Sequence, residues 1–329
     1  IMMAGIYCGA MYGGSTTSIL LNIPGEAASV VTCIDGYKMA KNGRAGAALG
    51  ISAIGSFIAG TFGIVALTFI APPLSSFALK FGPAEYFSLT LLGLTLAAFL
   101  SGKSMLKGMI MAVFGLLLAT VGIDPVGGAL RYTFGTMILM DGFDFLALAM
   151  GVFGIGEILI SLEEDMNSEL VTTKIKNIYP TLKDWLESRW AIVRGTVIGF
   201  GVGLLPGGGA VMASMIAYAI EKRVSKTPER FGEGAIEGVA SPESANNAAS
   251  SASFIPMLTL GIPGNPAIAM IFAALLIQGV QPGPFLIVDH PDVFWGVIAS
   301  MYIGNVVLLF FNLPLVGVWV QVLRVPYSI

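Results

Sequence analysis

The chain has 329 residues, of which 55% are hydrophobic and only 11% are charged, whereas soluble domains carry about 25% charged residues. Six segments contain no Asp, Glu, Lys, Arg or His: residues 1–25, 45–79, 108–123, 195–220, 244–288 and 293–323. About 20 apolar residues suffice for a helix to span a bilayer, and a soluble helix of this length would have a polar face. The composition therefore excludes an ordinary soluble domain and predicts an all-α polytopic membrane protein.

The charge balance argues against several other classes. A net charge of −3, without basic runs interleaved with aromatic residues, does not fit a protein that binds nucleic acid. Cys8 and Cys33 lie in apolar segments, which indicates small buried side chains and not a disulfide or a metal pair. The one histidine, His290, lies in the polar sequence DHPD, so no histidine-based site is expected within the membrane. We predict that the chain is not an enzyme and has no organic cofactor.

Clusters of Lys and Arg predict the orientation, because cytoplasmic connections are enriched in these residues. The basic clusters lie in four connections: residues 38–44, 103–107, 174–194 and 222–230. The connections 124–144 and 281–292 carry mainly acidic residues and are expected outside. The first residues, IMMAGIYCGAMYGG, lack the basic region and cleavage site of a signal peptide. We expect them to lie inside a longer protein.

The predicted elements follow in chain order. Residues 45–70, 86–101, 108–123 and 144–162 cross alternately outward and inward. Residues 163–190 are polar and contain Trp185 and Trp190, which predicts an amphipathic segment at the inner surface. Residues 195–220 form a helix–loop–helix around LPGGGA, and residues 293–323 run inward. We divide the chain into a first repeat with its following helices (1–162), a cytoplasmic connection (163–190) and a second repeat (191–329).

One internal repeat underlies this division. LNIPGEAA (Leu21–Ala28) matches LGIPGNPA (Leu260–Ala267) at a constant offset of 239 residues. Small and hydroxyl-bearing residues precede each copy: GGSTTS (Gly13–Ser18) and SANNAASSAS (Ser244–Ser253). The first copy leads to a basic connection and the second to an acidic one, so the copies are expected to cross in opposite directions. Inverted repeats with discontinuous helices and re-entrant loops are typical of secondary transporters.

The Pro–Gly sequences predict binding chemistry within the membrane. Pro and Gly interrupt the helical hydrogen-bond ladder, and the freed backbone groups must face protein, water or a ligand. The half-helix that begins after a break offers N–H groups to an anion, and the half-helix that ends before it offers carbonyls to a cation. In the second copy, Asn265 is expected to cap the new helix and Pro266 to occupy its first position.

The candidate substrate ligands are backbone groups of the Pro–Gly sequences and small polar side chains beside them. They are Ser15, Thr16, Thr17, Asn22, Pro24, Gly25, Gly207, Gly208, Asn247, Ser250, Ser251, Pro263, Gly264 and Asn265. The alternative is close helix packing, for which membrane helices also use small residues. Glu26 points away, pairs with a cation or helps to bind a coupling ion, and the sequence does not choose among these roles. Glu243, directly before the second polar stretch, is a further candidate.

The segments YGGSTTSILLNIPGEAASV, ASPESANNAASSASFIPMLTLGIPGNPAIAM and RGTVIGFGVGLLPGGGA resemble the large membrane subunit of tripartite tricarboxylate transporters (the TctA family). The resemblance covers essentially the whole chain. It implies a multi-pass permease of the bacterial inner membrane that works with a small membrane subunit and a periplasmic solute-binding protein. It also implies uptake of citrate or a related carboxylate, driven by an ion gradient, usually sodium. Candidate sodium sites then lie near Asn22, Ile23, Glu26, Gly261 and Ile262.

Three other functions were weighed. An ion or anion channel also uses broken helices and backbone carbonyls, but two non-identical half-sites and the lack of a ring-like filter motif favour a carrier. A membrane-embedded protease is disfavoured by the single histidine in an external turn and by the lack of a paired intramembrane Asp. An ATP-driven pump does not fit, because the chain has no nucleotide site of its own.

Overall fold

The computed structural model describes residues 1–100, 104–124, 127–144, 147–148, 150–156, 159 and 178–322. The first half of the chain contains helices α1 (Met2–Leu21), α2 (Val30–Met39), α3 (Ala45–Ala78), α4 (Pro83–Leu100) and α5 (Met105–Ala119). A 3-10 turn (Ala27–Ser29) precedes α2, and a π-helical turn (Ala40–Arg44) joins α2 to α3. Two short antiparallel strands, β1 (Gly122–Ile123) and β2 (Leu130–Arg131), follow α5. Further short turns lie at Met137–Leu139 and Met150–Ile155.

The second half contains helices α6 to α13. They are α6 (Leu182–Gly203), α7 (Gly209–Val224), α8 (Glu237–Ala252), α9 (Phe254–Leu260), α10 (Pro266–Ile277), α11 (Leu286–Asp289), α12 (Pro291–Asn312) and α13 (Val316–Val322). A 3-10 turn at Pro228–Arg230 lies between α7 and α8. This confirms the prediction of a mostly helical protein. The small β1–β2 pair, in the predicted outer connection 124–144 and just before it, was not anticipated.

Two helical stretches of the described chain are long and apolar enough to cross a membrane. One runs through Ala27–Ala78, which covers 52 residues, and the other is Pro291–Asn312, with 22 residues. Both have a mean hydropathy of 2.0 over their most apolar window. The helices α5 and α10 are apolar but shorter.

Helix α8 lies at the centre of the bundle and packs mainly against α3, α6 and α7. Its residues after Glu237 are buried, although many are polar. Close approach is possible because Gly195, Gly199 and Gly203 share one face of α6 at a spacing of four residues. A Cβ atom on these glycines would lie 2.2, 2.1 and 2.5 Å from carbonyl oxygens of α8. Small residues thus bring the two backbones together, as is typical of membrane helix pairs.

Helix α6 begins within the predicted connection 163–190. Thr181 and Asp184 form a reciprocal capping box, which starts the helix at Leu182. The helix then continues through the boundary placed at residue 190, so Trp185 and Trp190 lie on the same helix as Gly195. Residues 163–177 of the predicted amphipathic connection lie outside the described residues.

Candidate functional site

The second Pro–Gly sequence is a non-helical link between α9 and α10. Helix α9 ends at Gly261, which has left-handed backbone angles (φ 71°, ψ 23°). Asn265 is extended (φ −155°, ψ 168°), and its Oδ1 accepts a hydrogen bond from the N–H of Ile268 at 3.0 Å. Pro266 occupies the first position of α10. Asn265 is therefore the N-cap that the sequence predicted.

The loop between α6 and α7 supports this link. The N–H of Gly207 donates to the carbonyl of Gly264 at 2.8 Å. The Asn265 amide donates to Ser253 Oγ at 3.2 Å and to the Tyr7 hydroxyl at 3.3 Å. Ser253 in turn donates to the carbonyl of Gly203 at 3.2 Å. The LPGGGA sequence and the second Pro–Gly sequence thus form one hydrogen-bonded unit, which α1 reaches through Tyr7.

The first Pro–Gly sequence has the same local design. Asn22 ends α1 with left-handed angles (φ 57°, ψ 27°), and Glu26 is extended (φ −153°, ψ 163°). The Glu26 carboxylate accepts from the N–H of Ala28, and the N–H of Glu26 donates to Ser29 Oγ at 3.3 Å. Ser18 donates to Ser29 Oγ at 2.9 Å. Glu26 is thus a helix cap, a role that the sequence had not assigned to it.

The two copies therefore correspond in conformation as well as in sequence. Asn22 and Gly261 stand at the 239-residue offset, and so do Glu26 and Asn265. In addition, α1 packs against α12, while α8 and α9 pack against α3, so the helices of one copy contact the long helix that follows the other. The opposite membrane orientation of the copies stays a prediction.

The structure distributes the candidate substrate ligands over three places. One place is the hydrogen-bonded unit of the LPGGGA sequence and the second Pro–Gly sequence, which contains Gly207, Gly208, Pro263, Gly264 and Asn265. Ser15, Thr16, Thr17, Asn22, Pro24 and Gly25 lie at the end of α1 and in the first link. Asn247, Ser250 and Ser251 lie on α8.

Several of the candidate hydroxyl groups donate hydrogen bonds within their own helix. Ser15 donates to the carbonyl of Tyr12 at 2.8 Å, and Thr17 donates to that of Gly14 at 3.2 Å. Ser250 donates to the carbonyl of Asn247 at 2.9 Å. Each hydroxyl oxygen still has lone pairs that can accept. In this arrangement these groups offer acceptors more readily than donors.

Two cavities adjoin these groups. One, of about 370 Å³, is lined by the second link and by α4, with Gly207, Gly261, Ile262 and Pro263 on one side and Tyr86 and Thr90 on the other. The second, of about 190 Å³, lies between α1, α3, α8 and α12. Its polar lining comprises Tyr12, Asn247, Ser250, Ser251, Ser300 and Asn305.

Two polar residues of the interior were not anticipated from the sequence. Asn305 on α12 accepts from the Tyr12 hydroxyl and donates to Thr61 Oγ1 at 2.8 Å, which links three helices. Asp35 is fully buried, and its Oδ1 accepts from the N–H groups of Gly232, Gly234 and Ala235 at 2.8 Å each. The signal for Asn305 was its place in an apolar stretch whose only other Asn is Asn312, because polar residues in membrane helices are costly and usually have a role.

Ion pairs join α6 to its neighbours in the fold. Arg194 binds Glu221 through two hydrogen bonds of 2.6 and 2.9 Å, which joins α6 to α7. Arg44 pairs with Asp184 at the start of α6. Burial opposes the ionisation of Asp184, but hydrogen bonds from Thr181 and the neighbouring Arg44 outweigh it and hold its pKa below the usual range. These pairs fasten the bundle near the predicted cytoplasmic connections.

The family model of the tripartite tricarboxylate transporter TctA family matches residues 1–329. The chain belongs to this family. This confirms the resemblance carried by the Pro–Gly segments and places the chain in the tripartite tricarboxylate transporter family. No solved structure matches the chain significantly.

Two curated relatives come from Agrobacterium vitis. The "uncharacterized 52.8 kDa protein in TAR-I ttuC' 3'region" is 52% identical over 327 residues, which is 99% of this chain and 65% of the relative. The "uncharacterized protein in TAR-II ttuC' 3'region" is 59% identical over 126 residues, which is 38% of this chain and 52% of the relative. The chain therefore spans less than two thirds of the length of either relative.

Proposed function

We propose that this chain forms the permease pathway of an ion-coupled secondary transporter for small di- and tricarboxylates such as citrate. In this proposal it acts in the bacterial inner membrane with a small membrane subunit. A periplasmic solute-binding protein delivers the substrate and docks near the acidic connection 281–292. Family membership supports the transport class, and the geometry of the two links supports the carboxylate chemistry.

One observation carries the proposal: the second link, which leads into the capped start of α10, lines a cavity of about 370 Å³. The first N–H groups of a helix have no intrahelical partner, and the helix dipole makes this end positive. Carboxylates bind well at such helix starts. The N–H of Gly207 is already used to hold Gly264 in place, so the loop acts as a scaffold while α10 presents the binding groups.

No arginine clamp is needed in this mechanism. Neither Pro–Gly sequence contains a basic residue, so backbone N–H groups must satisfy the substrate, while Asn265 orients the link through Tyr7 and Ser253. These groups compensate only part of a multiply charged anion. A coupling cation, which we propose to be sodium, offsets the remainder, so substrate binds well only when the cation is bound. This dependence is the physical basis of symport.

Uptake of radiolabelled citrate into cells that express the complete tripartite system tests the proposal. A panel of di- and tricarboxylates, offered with sodium or with choline as the external cation, identifies substrate and coupling ion together. We expect sodium-dependent accumulation that disappears when this subunit is deleted. Equal accumulation in the deleted strain would overturn the proposal.

A further inference from the structure

Glu243 is a buried carboxylate that the Pro–Gly mechanism does not use. It lies on α8 and is fully buried. Its Oε1 accepts a hydrogen bond from the Thr32 hydroxyl of α2. Its Oε2 is also buried and has no hydrogen-bond partner among the described residues. None of the ion pairs in that part of the chain includes Glu243.

Other unpartnered polar atoms flank the same carboxylate. Ser52 on α3 is 1% exposed, and its hydroxyl has no partner in the described chain. One turn further along both helices, the Asn247 amide donates to Ser56 Oγ at 2.8 Å, which sets α3 against α8 here. Ser52 Oγ and the Asn246 amide nitrogen, which is also buried without a partner in the described chain, face the Glu243 carboxylate, and Glu26 is a nearby acid. Oxygen atoms from α2, α3 and α8 thus converge here.

A charged carboxylate in such a place must be compensated, because an isolated buried charge is very costly. A basic partner is absent from the described ion pairs. A proton on Oε2 would also neutralise the carboxylate, with Ser52 Oγ as its acceptor. A hard cation would use Oε2 together with the neutral oxygens of Ser52 and Thr32, which are the ligands that such ions prefer.

We propose that Glu243, Ser52 and Thr32 bind a small dehydrated monovalent cation, for which sodium is the first probe. One carboxylate with neutral oxygens matches a single positive charge, whereas Ca²⁺ usually takes several carboxylates. Thr32 follows the first Pro–Gly sequence and Glu243 precedes the second. The bound cation therefore holds the two copies together. As the coupling ion of the proposed symport, an assignment that rests on the proposed function, it links its own binding to the substrate site.

Binding of ²²Na⁺ to the purified protein in lipid nanodiscs, at constant ionic strength with choline chloride, tests the site without transport. Ser52→Ala removes one ligand and should weaken sodium binding by about tenfold or more, in line with the effect of altering residues around metal sites. Ser75→Ala is the matched control, because Ser75 lies on the same helix, is also 1% exposed and also lacks a partner. Its sodium affinity should equal that of the unmodified protein. Glu243→Gln should abolish binding.

Unchanged sodium affinity in Ser52→Ala and in a folded Glu243→Gln variant would overturn the site. So would an absence of sodium binding combined with uptake that follows pH alone, since the carboxyl would then carry a proton. Carboxylate uptake is measured separately on the same variants. Normal sodium-driven uptake, with a sodium affinity that Ser52→Ala does not alter, rejects this site but keeps the proposed function. Sodium binding that Ser52→Ala weakens, without any carboxylate uptake, keeps this site but rejects the proposed function.

Discussion

Glu26 and Asn265 adopt nearly the same backbone conformation, with φ/ψ of −153°/163° and −155°/168°, and each side chain caps the helical turn that follows it. The two residues stand at equivalent positions of the repeated sequence. One copy therefore places a carboxylate where the other places a neutral amide. An anionic substrate is expected at the Asn265 end, because Glu26 already occupies the N–H of Ala28 with its own negative charge.

Asn265→Ala should weaken substrate binding more than it weakens folding. The substitution removes a cap that is typically worth about 1 kcal/mol, together with the hydrogen bonds to Tyr7 and Ser253 that orient the link. Substrate affinity and the apparent melting temperature in detergent measure the two effects. Asn312→Ala is the control, since Asn312 bonds only to the carbonyl of Leu308 among its described contacts. Equal loss of affinity in both variants would place the site elsewhere.

The size of the side chain at position 264 should decide transport. A Cβ atom at Gly264 would lie 3.6 Å from the carbonyl oxygen of Leu205, which is an ordinary contact. Gly264→Ala should therefore retain activity, whereas Gly264→Leu should block uptake while the protein still reaches the membrane. Uptake normalised to the amount of protein in the membrane provides the measurement. Normal uptake by the leucine variant would show that the link does not line the pathway.

Gly199→Ala should destabilise the bundle through the contact between α6 and α8. The added Cβ would meet the carbonyl oxygen of Ala245 at 2.1 Å, and forced overpacking costs about 1–3 kcal/mol. Gly201→Ala, on the same helix, meets nothing within 4 Å and should leave the apparent melting temperature unchanged or raise it. Equal apparent melting temperatures of the two variants would contradict the close packing of α6 against α8.

Asp184→Asn should lower stability at neutral pH by roughly 1 kcal/mol, the usual worth of a helix cap. The pKa of Asp184 is held below that of the unfolded chain, so the carboxylate stabilises the fold above the ordinary value of about 3.9. This stabilisation is lost as the pH falls through the lowered pKa. Melting temperatures of the two proteins should therefore converge in acid. A constant difference across the pH range would contradict the assignment.

The sequence was a good guide to local structure. Glycine, asparagine and proline at the Pro–Gly sequences predicted where helices stop and start, because each acts on its own backbone. The sequence did not predict which residues distant in the chain contact each other. The carboxylate of Asp35 binds N–H groups that lie about 200 residues away, and Asn305 meets Tyr12 across an even longer separation. Helical periodicity predicts that such residues face inward but does not identify their partners.

The same distinction separates the parts of the candidate site that the sequence predicts from those that it does not. The repeat predicted Asn265 as a cap, since this role depends on its neighbours in sequence. The contact between Gly207 and Gly264 and the convergence of Thr32, Ser52 and Glu243 depend on how separate helices pack. The sequence left the role of Glu26 open between pointing away, pairing with a cation and binding a coupling ion. It did not predict the cap that Glu26 forms with Ala28 and Ser29.

Counterflow in proteoliposomes tests the central claim most directly. Vesicles that contain the purified membrane subunits are loaded with unlabelled citrate, or with the carboxylate identified by uptake, and diluted into a trace of labelled substrate with the solute-binding protein outside. A carrier accumulates label transiently against its gradient by exchange, and we expect this in sodium but not in choline. Label that only equilibrates, as through a channel, or that fails to enter in either salt, would contradict a sodium-coupled carboxylate carrier.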